Sequence, residues 1–519
     1  MSMSVFRTAS RRWRLPGRRP AAAAACALAA AALTGGTVLA AAGPAAAAPA
    51  AAAPAVTATI PVGTNPDRVA VDALTGTVYV VNDGDNTVSV ISSQTNTVTA
   101  TIMFPAGVFL TAVAVNPLTD TVYVTNAPTA HGPGTVFVIN GHTNTITATI
   151  TVGAAPVAVA VNPLTGTVYV ANNFDGTVSV INGQTDTVTD TIGVGANPAA
   201  VAVNPVTGTV YVADRFDVSV INGNTVTATI SVFLGFGQVA VNPLTGTVYA
   251  TLHNAPGTVY VINAKTNTIT ATITVPGFPE GIAVAPVSGT VFVTNGAVGG
   301  DNSVSVINGK TNTVTATITG FDGPEGVAVS PLTGAVYVAN FNNGTVSVIT
   351  FNACTTTITG TVSGSLTIGP GITCIEPGAV ITGPVTVNAG ATALIRGAQL
   401  QGPLSAKNSG TLVVCGTTIS GKVEVTGATG PVLLGAGSAC APDTFGGAVS
   451  LTGNTTGVVL ARGTIGGAVS LTRNATLVVV AGNTITGSLS CDHNNPAPTD
   501  NGRPNTVSGL ASGQCSALT

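Results

Sequence analysis

A short phrase returns along this chain at nearly constant intervals, and no other feature restricts the possible fold so strongly. Thr75-Gly76-Thr77-Val78-Tyr79-Val80 recurs as Thr119-Asp120-Thr121-Val122-Tyr123-Val124, then from Thr165, Thr207 and Thr245, and in altered form from Ser288 and Thr333. Successive starts stand 44, 46, 42, 38, 43 and 45 residues apart. Each unit holds four short β-branched runs; in the third they are residues 157–161, 167–171, 177–181 and 187–192. Asn162-Pro163-Leu164-Thr165-Gly166 and the segments 172–176 and 182–186 lie between them, where Asn, Pro and Gly let a meander reverse. Four strands in roughly 40 to 45 residues is the period of a propeller blade. One blade cannot bury both its faces, so the blades must stack radially, Val, Ile and Ala of each sheet against the next.

The seventh unit, residues 326–349, lacks its fourth run, because Phe351-Asn352-Ala353-Cys354 stands where it should be. The missing run lies ahead of the first unit, as Val56-Thr57-Ala58-Thr59-Ile60. The N-terminal strand is therefore expected to complete the last blade, giving seven blades over residues 55–350. Tyr123-Val124-Thr125-Asn126 is the signature of the YVTN β-propeller repeat family, which this segment resembles; Phe292-Val293-Thr294-Asn295 and Tyr169-Val170-Ala171-Asn172 are close variants. Blade five departs with Tyr249-Ala250-Thr251-Leu252, and blade four is shortened around Phe216-Asp217-Val218. The resemblance implies an exported surface-layer or cell-envelope protein of bacteria or archaea, serving as a binding or structural module.

Beyond residue 351 the period changes. Gly364, Gly383, Gly402 and Gly421 stand 19 apart, and after one insertion Gly447, Gly467 and Gly487 stand 20 apart, each followed within two residues by a Val or Leu run. Such Gly-punctuated strands suit the coils of a parallel β-helix. About seven coils rising ~4.8 Å each would form a rod of roughly 35 Å over residues 351–519. A small β-sandwich is the alternative. The six cysteines outside the leader, Cys354, Cys374, Cys415, Cys440, Cys491 and Cys515, all lie here, and an even number in an exported chain implies disulfides, most simply in sequential pairs. None has C-x-x-C spacing and His493 is the only nearby histidine, which argues against zinc.

Residues 1–50 read as a leader. Arg7, Arg11, Arg12, Arg14, Arg18 and Arg19 form a basic start, residues 21–42 an apolar stretch, and residues 45–53 offer Ala-x-Ala cleavage choices. Ser10-Arg11-Arg12 fits either twin-arginine or general secretory export. Only 7% of the chain is charged, against roughly 25% in ordinary domains. Without the leader ten basic residues face 19 acids, scattered singly, so nucleic-acid binding is disfavoured. No later segment is apolar for long enough to span a bilayer as a helix.

The turns leading into the innermost strands hold the main chemical candidate. Pro66-Asp67, Pro279-Glu280 and Pro324-Glu325 occupy that place in blades one, six and seven, where the other blades have Thr111, Val157, Ala199 and Gly237. Ring closure would make these three blades neighbours, gathering carboxylates able to hold a hard cation such as calcium, as in propeller lactonases by analogy. Exposed turn acids that bind nothing are the plainer expectation. Asp83-Gly84-Asp85-Asn86 reads as a hairpin turn, Gly309-Lys310-Thr311 lacks the first glycine and the helix of a phosphate loop, and His131, His142, His253 and His493 are dispersed. Tyr79, Tyr123, Tyr169, Tyr211, Tyr249 and Tyr337, with Phe292 in blade six, recur in one context, which signals packing. The leading expectation is a non-catalytic scaffold with a protein or cell-wall glycan partner, contacted through loops 127–134 and 296–302; the alternatives are a metal-dependent hydrolase and a polysaccharide-binding β-helix.

Overall fold

The computed structural model describes residues 54–519 apart from 74, 129–131, 232–235, 287, 297–300, 331–333, 351–353, 436–441, 476–477 and 501–502. The leader and much of both long loops thus lie outside the described residues. Every regular element described is a strand. Seven four-stranded antiparallel sheets form the first part. In blade three the strands are Pro156–Asn162, Thr167–Asn172, Thr177–Asn182 and Thr187–Gly193, each within a residue or so of the expected runs. The innermost strands, Pro66–Val71, Leu110–Asn116, Pro156–Asn162, Ala200–Val203, Phe236–Asn242, Phe278–Ala285 and Pro324–Val329, touch one another in that order, and the last touches the first. Ala55–Pro61 pairs antiparallel with Thr345–Thr350, Val56 opposite Ile349 and Ile60 opposite Val346. The ring is closed by the strand that the sequence left over.

Packing between blades repeats. At the seam, Ile60, Tyr337, Val346 and Val348 of blade seven meet Val78, Val80 and Ile91 of blade one, all buried. Each such side chain contributes about 1.5–3 kcal/mol on leaving water. The motif residues have separate tasks. The tyrosine leans on the next blade: a Cβ on Gly141 would meet the Tyr79 hydroxyl, one on Gly183 the Tyr123 hydroxyl and one on Gly309 the Tyr249 hydroxyl. Burial, with Asp186 adding to it, pushes Tyr123 up to about 12, so its hydroxyl stays neutral. Blade six has Phe292 there, and the blade beyond it has no third-to-fourth turn for a hydroxyl to reach, because its fourth strand comes from the N-terminus. The asparagine caps the central hairpin: Asn172 Nδ2 donates to Thr177 Oγ1 at 3.0 Å and Ser179 Oγ at 2.9 Å, and Asn82, Asn295 and Asn340 repeat the pattern. In the shortened blade four Asp214 takes over, accepting from Phe216 N, Asp217 N and Ser219 Oγ.

The second part is a three-sided solenoid. Its parallel sheets contain seven, eight and eight strands, one strand per side in each turn. Parallel pairing throughout excludes the β-sandwich. Ile381, Leu400, Ile419, Phe445, Ile465 and Ile485 pair in succession up one inward-facing column, all fully buried. The glycine column marks a corner where coils nearly touch: a Cβ on Gly383 would lie 2.5 Å from the Gly364 carbonyl carbon, and Gly509 extends the column past the seven glycines counted from sequence. A second device stacks amides. Asn474 Nδ2 donates to Asn494 Oδ1 at 2.8 Å, and Asn474 Oδ1 accepts from Asn454 Nδ2 at 2.8 Å, all three buried. Asn483 and Asn505 form a parallel ladder. Disulfides join Cys354 to Cys374 and Cys491 to Cys515, at the first and last coils. Cys415 is also disulfide-bonded; Cys440, its expected partner, lies outside the described residues.

The solenoid seats against the propeller rim. Leu118, in a blade-two turn, packs with Leu433 on Val459, Ala461, Val479 and Ala481. Beside them, burial and Arg503 hold the Arg462 guanidinium below its ordinary range while Asp120 and Asp72 of the propeller pull it upward.

Candidate functional site

The inner strands begin with a repeated irregularity that aims side chains at the channel mouth. Register shifts fall between Pro66 and Arg68, Leu110 and Ala112, Pro156 and Ala158, Pro279 and Gly281, and Pro324 and Val327. A bulge bends its strand and redirects the extra residue, and the extra residues include Asp67, Glu280 and Glu325. The motif threonine pins this bulge in blade six: Thr294 Oγ1 accepts from Gly281 N at 2.7 Å and donates to the Glu325 carbonyl at 2.5 Å, tying blade six to blade seven. Glycine allows the approach, because a Cβ on Gly281 would overlap the Glu325 carbonyl oxygen and one on Gly326 that of Asp67.

The three carboxylates therefore share one field. Burial first, then Glu280 and Asp67, push Glu325 up to about 7, with Arg68 opposing them. Arg68 Nη1 lies 2.7 Å from Asp67 Oδ1, and His253 Nε2 lies 2.9 Å from Glu280 Oε1. Burial and Asp67 also raise Asp83, so the acidic group reaches into the neighbouring turn. Below the mouth is a cavity of about 140 Å³ to which all seven blades contribute, among them Arg68, Ala112, Val157, Gln238 and Ile282. It has room for a few waters, far below the several hundred Å³ of an ordinary ligand pocket.

The three acids do not gather into a single coordination shell. Among the described residues, the only trio of His, Cys, Asp or Glu ligand atoms all within 4.8 Å of one another is Cys354, Cys374 and Glu376. Its two sulfurs are joined in a disulfide.

No family model matches the sequence, and no curated protein matches it. Among solved structures, Kuenenia stuttgartiensis hydrazine synthase aligns with 55% of this chain and 96% of its own, at 19% identity and a TM-score of 0.49. A likeness of that size carries no argument about what this chain does.

Two of the mouth residues escape sequence reading. Arg68 stands where blades six and seven have glycine, and His253, counted only as a dispersed histidine, aligns with Asp83 in the repeat. Aligning every blade on its tyrosine would have placed His253 on the mouth face; nothing in the sequence pairs it with Glu280. The His253 ring also lies 5.0 Å from that of Phe278. Asp85 holds its turn, accepting from Thr64 N at 2.9 Å and Thr87 Oγ1 at 2.7 Å, as Asp175 does from Ala154 N.

The mouth face is the more acidic of the propeller's two faces. Turns on this face are joined by backbone bonds such as Asp83 N to Asn65 O, and those on the other by bonds such as Gly141 N to Asp120 O. Asp83, Asp85, Asp301 and Asp322 are exposed on the mouth side around the three bulge acids, and Asp175 on blade three, with Arg68 and Arg215 as the basic residues. The other side sets Asp72, Asp120 and Asp186 against Lys265 and Lys310.

Proposed function

We propose that this chain is an exported, non-catalytic binding scaffold of the cell envelope or extracellular space, the role that the resemblance to YVTN propellers implies. The observation that carries the reading is how the polar side chains are used. Buried ones are consumed in holding repeats together, through asparagine caps in the blades and amide ladders in the coils. Exposed ones recur unit after unit: Thr97, Thr99 and Thr101 on the outer strand of blade one have threonine counterparts on blades two to six, and blade seven keeps the last two as Thr57 and Thr59, while Thr418, Thr444, Thr464, Thr484 and Thr506 form one exposed column on the solenoid. Repetition of this kind suits contact with an extended partner, protein or cell-wall glycan. The disulfides support an oxidising compartment. Among the described residues no helix is long and apolar enough to cross a membrane.

The metal-dependent hydrolase reading would place calcium at Asp67, Glu280 and Glu325, but Asp67 and Glu280 each already face a basic side chain. Calcium titration and a lactone panel, run on the wild type and on a variant with all three acids changed to Ala, test the choice. The scaffold reading expects no turnover from either protein; calcium-dependent turnover abolished in the variant would overturn it.

A further inference from the structure

The propeller's two faces differ in more than charge. Among the described residues every exposed phenylalanine lies on the mouth face: Phe109 at 52%, Phe174 at 52% and Phe216 at 50% exposure. They stand on consecutive blades, two, three and four. Met103, 71% exposed, ends the outer strand of blade one on the same side. Aromatic residues make up only 4% of the chain, and the repeated tyrosines are buried. The bulge acids belong to blades six, seven and one, so rings and bulge acids lie on different arcs of the mouth, and the exposed Asp175 stands beside Phe174 on the ring arc.

We propose that this face docks a basic polypeptide segment laid across the mouth, the aliphatic stems of some of its Lys or Arg side chains lying on the phenylalanine arc and the charged heads of others meeting the carboxylate arc. This deepens the binding reading above and rests on it. Charge complementarity selects the occupant. Exposed acids outnumber the basic residues on this face, so a cationic partner is drawn in and an anionic one repelled. Long basic side chains supply both an apolar stem for the rings and a cation for the acids. The molecule already makes one such contact, the Arg215 guanidinium lying 5.4 Å from the Phe216 ring centroid. The contacts between solenoid and propeller among the described residues lie at Leu118 and Asp120, on the opposite side. The cavity beneath is too small to take a whole ligand, so contact spreads across the face.

The test uses the full chain and a fluorescent, end-capped peptide of alternating Lys and Ala, with the matching Glu-Ala peptide and N-acetylglucosamine oligomers alongside. Two triple variants are compared with the wild type, F109S/F174S/F216S and D83N/D301N/D322N. All six positions are exposed, so both variants should melt close to the wild type, and melting curves confirm that. The proposal expects saturable binding of the Lys-Ala peptide alone, weakened about tenfold or more between low and physiological salt, and weakened about tenfold in each variant. No peptide binding at low salt, equal binding of the Glu-Ala peptide, or folded variants that bind as the wild type does would each overturn it. Binding of the glycan with no binding of the peptide would overturn the polypeptide assignment while leaving the scaffold reading in place.

Discussion

Gly326 lies directly against the carbonyl oxygen of Asp67, so close that a Cβ at residue 326 would overlap it. That contact is the seam of the ring, where the last inner strand meets the first. Gly326→Val should destabilise the protein by roughly 2–4 kcal/mol, since backbone cannot yield as a flexible side chain does. Gly193, at the end of an outer strand with nothing within 4 Å, is the control, and Gly193→Ala should change stability by no more than about 0.5 kcal/mol. Denaturant melts of both variants check the contrast.

Glu325 makes stability depend on pH. In the fold it keeps its proton up to about pH 7, whereas in the unfolded chain it loses it near its ordinary value of 4.5. Between those values the folded state binds more protons, so stability falls as pH rises through the window. Allowing for the water on its open side, the effect is about 1–2 kcal/mol. Glu325→Gln should remove it and be more stable than the wild type at pH 8. Asp443, raised by burial to about 6, gives a second decline of the same sign at lower pH that this variant keeps. Melting temperatures from pH 4 to 8 separate the two.

The amide ladder should be among the most sensitive parts of the solenoid. Asn474 Oδ1 accepts from Asn454 N and Nδ2, and its Nδ2 donates to Leu451 O and Asn494 Oδ1. Asn474→Ala would leave buried donors and acceptors unmet, at a cost of about 2–4 kcal/mol. Thr464→Ala, in the exposed column, should shift stability by less than about 0.5 kcal/mol. Urea unfolding of each variant measures the difference.

The two end staples close loops with sequence separations of 20 and 24 residues. Changing both cysteines of either pair to serine should cost about 3 kcal/mol by the loop-closure argument. The loss should fall on the solenoid and leave the propeller melting as before, which differential scanning calorimetry can resolve.

The fold was legible because both repeats declare themselves in residues that geometry demands: turn asparagines and a buried tyrosine in each blade, a glycine at one tight corner of each coil. The orphan run at residues 56–60 even announced the closure. Gly509 escaped because its turn is 22 residues long and breaks the count. The mouth was half legible. Asp67, Glu280 and Glu325 stood out in register, but their ion-pair partners did not, since Arg68 breaks the Pro-Glu-Gly pattern and His253 comes from the neighbouring blade. Which side chains meet across blades depends on bulges and blade tilt, which the repeat alone does not encode. The three exposed phenylalanines do not stand out as a set in the sequence because they sit in turns of differing sequence.

Hydrogen exchange on the strand Ala55–Pro61 tests the closed ring most directly, and with it the adjacency of blades six, seven and one on which the mouth depends. The ladder with Thr345–Thr350 predicts that the amides of this strand are protected to the same order as those of Thr345–Thr350 itself. Exchange at the rate of an unstructured peptide, with the rest of blade seven still protected, would contradict it.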